Sequence, residues 1–85
     1  MVTVRKLERL SFSDSTAWLG EVGEGNRIYI RLYYGSLQVF VGENGENPIH
    51  HGKMIYNEHV GHFRESDMDT ERMKDLVSGL FKFED

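Results

Sequence analysis

Residues 16–42, "TAWLGEVGEGNRIYIRLYYGSLQVFVG", decide the fold of this chain. Apolar and polar side chains alternate along them with period two, the pattern of strands that bury one face. Glycine-bearing turns interrupt the alternation twice. Glu24-Gly25 suits a tight hairpin, and Gly35-Ser36 is typical of a hairpin turn with glycine in its first position. Hairpins centred on these pairs set Leu19 against Ile30 and Ile30 against Val41, with Ala17, Leu32 and Val39 in the next row. A short connection at "SDST", residues 13–16, brings Leu10 and Phe12 into the same rows. One face of the resulting meander reads Leu10, Phe12, Ala17, Leu19, Ile28, Ile30, Leu32, Tyr34, Leu37, Val39 and Val41. Turn chemistry and alternation arrive at that face independently.

Outward from this block the period changes. In "SDMDTERMKDLVSGLF", residues 66–81, the apolar side chains Met73, Leu76, Val77, Leu80 and Phe81 recur at helical spacing and form one stripe that can cover the sheet. Ser66 or Asp67 serves as the expected cap, with Asp69 and Glu71 in the first turn. Gly79 falls inside the pattern and weakens its last turn. At the other end, Val2 and Val4 share the parity of the core face but Leu7 does not, which calls for a bulge or a helical turn. The expected fold class is therefore α+β: a four- to five-stranded antiparallel β-meander with a C-terminal helix packed on one face. Its strands cover about 2–12, 16–22, 27–34 and 37–42, with short strands within 46–57 and a helix over about 67–82.

At 85 residues the chain is read as a single domain, and a domain of this size buries only about 60 to 65% of its unfolded surface. Without cysteine it has neither disulfides nor thiolate metal ligands to add stability. Self-association, as a homodimer, is expected. Charges interrupt the apolar residues of "MVTVRKLERL", unlike a secretory signal, and no run approaches the roughly 18 apolar residues of a membrane span. The chain is read as soluble and cytoplasmic, without a membrane partner. Its formal charge of −4 argues against duplex DNA as the partner.

The register that builds the core also assigns the opposite face. Arg27, Tyr29, Arg31 and Tyr33 alternate along the third strand, with Trp18 and Val22 on one side and Gln38 and Phe40 on the other. Trp18, Arg31 and Phe40 fall in one cross-strand row, and Tyr29 lies between Gly20 and Gly42. Solvated sheet faces carry Thr, Lys, Glu and Ser, whereas rings and arginine are enriched at the centres of binding interfaces. Residues 47–63 contain enough apolar side chains to fold across this face as an internal layer instead.

All four histidines lie within "HHGKMIYNEHVGH", residues 50–62. His59 and His62 share one face of a helical turn but opposite faces of a strand. The order of "EHVGH" is not the HExxH of zinc proteases, since its glutamate lies outside the histidine pair. No nucleophile elbow or phosphate-binding loop is present. Asn44-Gly45 marks a further hairpin, residues 46–51 are expected to begin a fifth strand that Pro48 confines to an edge, and "KMIYN" forms another short strand.

These residues point to a small acidic protein without catalytic activity or cofactor, of accessory or inhibitor type, that binds a protein partner through Trp18, Arg27, Tyr29, Arg31, Tyr33 and Phe40. Single-stranded nucleic acid is the alternative ligand for the same face, since its rings would stack on bases and its arginines would track phosphates. Metal binding at His59 and His62 is the second alternative.

Overall fold

The computed structural model describes residues 2–11, 15–43, 47–61 and 67–84, apart from the side chains of Ser11, His50 and His51. In chain order its elements are β1 (Val2–Ser11), β2 (Thr16–Val22), β3 (Asn26–Tyr33), β4 (Ser36–Gly42), α1 (Pro48–His51), β5 (Lys53–His59), α2 (Thr70–Leu76) and β6 (Phe81–Glu84). The strands form one six-stranded sheet in the order β5-β4-β3-β2-β1-β6. From β1 to β5 every neighbour is antiparallel, while β6 lies parallel to β1. The α+β class and the antiparallel meander are as the alternation predicts. The sheet is larger and the helix shorter than expected.

The turns explain where the predicted register holds and where it fails. Val22 pairs with Asn26, so the β2–β3 loop has three residues, Gly23, Glu24 and Gly25, and both glycines adopt positive φ (58° and 76°). A two-residue loop at Glu24-Gly25 differs from this by one position, and a shift of one exchanges the two faces of a strand. Trp18 therefore stands opposite Ile30, inside the core, and Ala17 and Leu19 point the other way, opposite Arg31 and Tyr29. Between β3 and β4 the turn residues are Tyr34 and Gly35, both at positive φ (48° and 77°). That pairing differs from the predicted one by two positions, which moves the rows but preserves the faces. Ile30 faces Val39, and Arg31 faces Gln38.

In β1 the register shifts between Arg5 and Glu8, and Lys6 takes φ 53°. This bulge packs Leu7 against the core beside Val4, as its discordant parity requires. Downstream, Leu10 lies opposite Ala17 on the outer face, contrary to its expected place in the core. Phe12 is outside the described residues.

The inner face is closed by residues 67–81. Met68, Met73, Val77 and Phe81 join Trp18, Ile28, Ile30, Leu32, Leu37 and Val39 in one buried cluster. Polar ties hold this layer to the sheet: Arg9 donates to Asp67 (2.7 Å), and the Trp18 indole N–H donates to the Thr70 hydroxyl (3.0 Å). The cap of α2 is Asp69, whose carboxylate accepts from the Arg72 amide at 2.8 Å. Asp67 is instead engaged by Arg9, and Ser66 lies outside the described residues. The helix stops at Leu76 and does not run to residue 82. Residues 77–80 form turns, Leu80 is exposed, and Phe81 enters the core from β6. "FKFE", residues 81–84, alternates like a strand, and the free edge of β1 gives it a partner.

Pro48 also plays a different part from the one expected. It opens α1, where its missing amide costs nothing, and Asn47 caps that turn by accepting from the Ile49 amide. The fifth strand is the "KMIYN" segment, extended to Lys53–His59.

Two glycine substitutions should therefore act in opposite directions. Gly25→Ala forces a side chain into left-handed backbone and should lower stability by roughly 1–2 kcal/mol. Gly79, in open space without positive φ, should raise stability by about 0.4–1 kcal/mol when replaced by alanine. Urea unfolding monitored by circular dichroism checks both signs.

Candidate functional site

On the outer face, side chains from adjacent strands fall into rows. One row runs Leu10, Ala17, Arg31, Gln38 and Asn57; the next runs Glu8, Leu19, Tyr29, Phe40 and Met54. The first is polar at its centre. Arg31 Nε donates to Gln38 Oε1 at 2.7 Å, and Gln38 Nε2 makes a longer contact of 3.5 Å to Asn57 Oδ1. The second row is apolar, with the Tyr29 and Phe40 rings tilted against each other at 6.1 Å between centroids.

Arg31 links the rows. Its guanidinium carbon lies 4.5 Å from the centre of the Tyr33 ring and 5.1 Å from that of Phe40. Such contacts contribute about 0.5–1 kcal/mol when exposed and up to about 2 when desolvated; Arg31 is half-buried. Tyr33 in turn meets Tyr34 edge to face at 4.5 Å. Both tyrosines are exposed, Tyr34 at 66%, so the rings continue past the end of β3 onto the turn. Arg27, also exposed, lies toward the opposite end of β3. A cleft of about 260 Å³ opens there, lined by Lys6, Glu8, Leu19, Glu21 and Arg27 of the sheet and by Asn47, Pro48 and Ile49. Through that cleft α1 stands beside one end of the face. Lys53–His59 extend the sheet instead of folding across it, since they pair with β4.

Five of the six predicted contact residues, Arg27, Tyr29, Arg31, Tyr33 and Phe40, share this face. Trp18 does not: it is fully buried on the opposite side, and Val22 went with it. The row expected through Trp18, Arg31 and Phe40 is thus replaced by one through Ala17, Arg31 and Gln38, with Phe40 reached diagonally. Tyr29 is flanked by Leu19 and Phe40, not by Gly20 and Gly42. Leu19, Met54 and Asn57 were missed as members of the face. Two glycines separated by one residue, Gly23 and Gly25, signal a three-residue loop that would have placed Leu19 correctly. Met54 and Asn57 depend on how β5 pairs, for which the sequence carries no local signal.

His59 is exposed at the end of β5, opposite Ser36; His62 lies outside the described residues. Among the described residues no group of three or more His, Cys, Asp or Glu side chains is placed to hold a metal ion. On the inner side of β5, Tyr56 packs against the core, and burial, then the nearby Glu58 carboxylate, pushes its phenol above the usual tyrosine range. Among the described residues no helix is long and apolar enough to cross a membrane. Comparison with protein-family models, with curated proteins and with solved structures found no match to this chain.

The partition of faces has a direct optical readout. Trp18 emission should be blue-shifted in the folded protein and unchanged by Tyr29→Ala or Arg31→Ala on the far side. Met73→Ala, which opens the core that holds Trp18, should shift it to the red. A fluorescence response to Arg31→Ala as large as that to Met73→Ala would contradict the partition.

Proposed function

We propose that this protein is a small non-catalytic module that binds a protein partner on the outer face of its sheet, with Arg31 at the centre and Arg27, Tyr29, Tyr33 and Phe40 around it. The observation that supports this reading is the state of Arg31. Its guanidinium is half-buried, stacked by two rings and oriented through Nε by Gln38. Orientation before binding lowers the entropy lost when a ligand docks, and the two Nη groups are left for a partner's carboxylate or carbonyl oxygens. Tyrosine and arginine are the residue types that carry interface energy, because they combine large buried area with a polar end.

A polypeptide suits this surface better than a nucleic acid. Glu8 and Glu21 stand on the same face as the arginines, and the chain as a whole is acidic. A phosphate backbone requires several cations along its path, whereas a protein interface needs one anchored cation among rings. The nucleic-acid alternative keeps a mechanism of its own, because Tyr29, Tyr33 and Phe40 could stack unpaired bases.

The partner should be captured from extracts of the source cells on immobilised wild-type protein, purified, and its affinity then measured. Arg31→Ala and Tyr29→Ala should each weaken that affinity by about 2 kcal/mol or more, with the thermal unfolding midpoint little changed. If both variants bind as the wild type does, the face is not the site. Titration with a labelled single-stranded oligonucleotide at low salt should show no binding. Binding that Arg31→Ala abolishes would favour the nucleic-acid reading.

A further inference from the structure

The sheet ends on one side in β5, which pairs with β4 and has no other described strand beside it. An unpaired edge of this length is normally blunted, because its free amides and carbonyls invite a further strand. Here it carries Met54 and Ile55, exposed at 43% and 46%, with Lys53 and Glu58 exposed near its two ends. Among the described residues neither of these charges has an ion-pair partner. The opposite edge, β6, has only four residues.

The bulge in β5 makes the strand selective about its partner. Val39 pairs with Tyr56 and Phe40 with Met54, so Ile55 is the extra residue. On either side of it the alternation is out of phase: Lys53, Tyr56 and Glu58 lie on the inner side, and Met54, Asn57 and His59 on the outer. A second β5 running antiparallel about a two-fold axis must place inner residues opposite inner and outer opposite outer. Among the registers that pair nearly the whole strand, this requirement selects Lys53 opposite Glu58 and Met54 opposite Asn57. The same register sets opposite charges against each other twice, once at each end.

We propose that β5 is a homodimerisation edge, on which a second copy of this chain adds its own β5 antiparallel, with Lys53 facing Glu58 of the second copy and Glu58 facing its Lys53. The pairing makes one continuous sheet and covers the β5 edge of a small domain. It also carries both Arg31 faces to the same side of the joined sheet, about 24 Å apart across five strand spacings of about 4.8 Å. A dimer built this way would present two equivalent binding faces in one plane, which raises the avidity for any repeated or dimeric ligand. The dimer itself does not depend on the binding role given to Arg31.

Charge reversal tests the register. In sedimentation equilibrium the wild type should dimerise reversibly. Lys53→Glu and Glu58→Lys should each raise the dissociation constant about tenfold or more, since each puts like charges opposite each other at both ends. Mixing the two variants in equal amounts should restore the dimer, because every facing pair is then again opposite in sign. The Lys53→Glu, Glu58→Lys double variant should dimerise as the wild type does. Circular dichroism of each variant confirms that the monomer is folded. A wild-type chain that stays monomeric at its highest soluble concentration overturns the proposal. So does a dimer that neither reversal weakens, or variants that do not recover on mixing. A dimer sensitive to Tyr29→Ala but not to charge reversal would place the contact on the Arg31 face and would equally overturn it.

Discussion

The pairing of Val22 with Asn26 is the constraint on which the rest of this structure depends. It makes the loop between β2 and β3 three residues long, with Gly23 and Gly25 supplying the positive φ that the loop needs. Since side chains alternate strictly along a strand, this one distance decides which way all of β2 faces. It sends Trp18 inward, where its ring joins Met73 and Val77 under α2 and its indole N–H meets the Thr70 hydroxyl. It sends Ala17 and Leu19 outward. The small Ala17 side chain, buried beside Arg31, and the Leu19 flank of Tyr29 lie on the outer face of the sheet only because of that turn.

Once β2 is placed, the two faces of the sheet have different physical characters. The inner one is a buried apolar layer tied at its margin by Arg9 to Asp67. The outer one alternates an apolar row with a polar row, and Arg31 bridges them by stacking on Tyr33 and Phe40 while bonding Gln38. Each of these contacts is worth on the order of 1 kcal/mol or less at a surface. Their combined effect is less on stability than on order: a long, flexible cation is held in one orientation. An ordered arginine among rings is an arrangement suited to recognition, and it forms from strands whose other faces build the core.

Much of this was legible in the residues. The strands β1 to β4, the "KMIYN" strand within β5, the outward set on β3 and the apolar stripe that supplies Met73 and Val77 follow from period and turn chemistry, whereas the parity of Leu7 fits either a bulge or a helical turn and Pro48–His51, expected to begin a fifth strand, form α1. The faces of β3 and β4 survived a misplaced turn because that displacement was even, two residues at Tyr34-Gly35. Trp18 did not survive an odd one. The described part of the histidine-rich stretch 50–62 includes the end of a helical turn and an edge strand. What matters in it are Met54, Ile55 and the charges Lys53 and Glu58.

The sequence by itself therefore determined the segments of β1 to β4, the glycine-bearing stretches in which the chain turns between β2, β3 and β4, and which residues of β3 share a face, since all of these rest on local backbone preference and on a period of two. Only the tertiary structure decided the direction of Trp18, the end of the helix at Leu76 and the addition of β6 beside β1. Helical spacing continues through Leu80 and Phe81, while Gly79 and the alternation of "FKFE" favour a break followed by a strand, so the local pattern supports both and does not choose between them. The break occurs because the edge of β1, nearly eighty residues earlier in the chain, offers "FKFE" hydrogen-bond partners and Phe81 a place in the core. That competition is settled by non-local pairing and burial, which a local pattern does not encode.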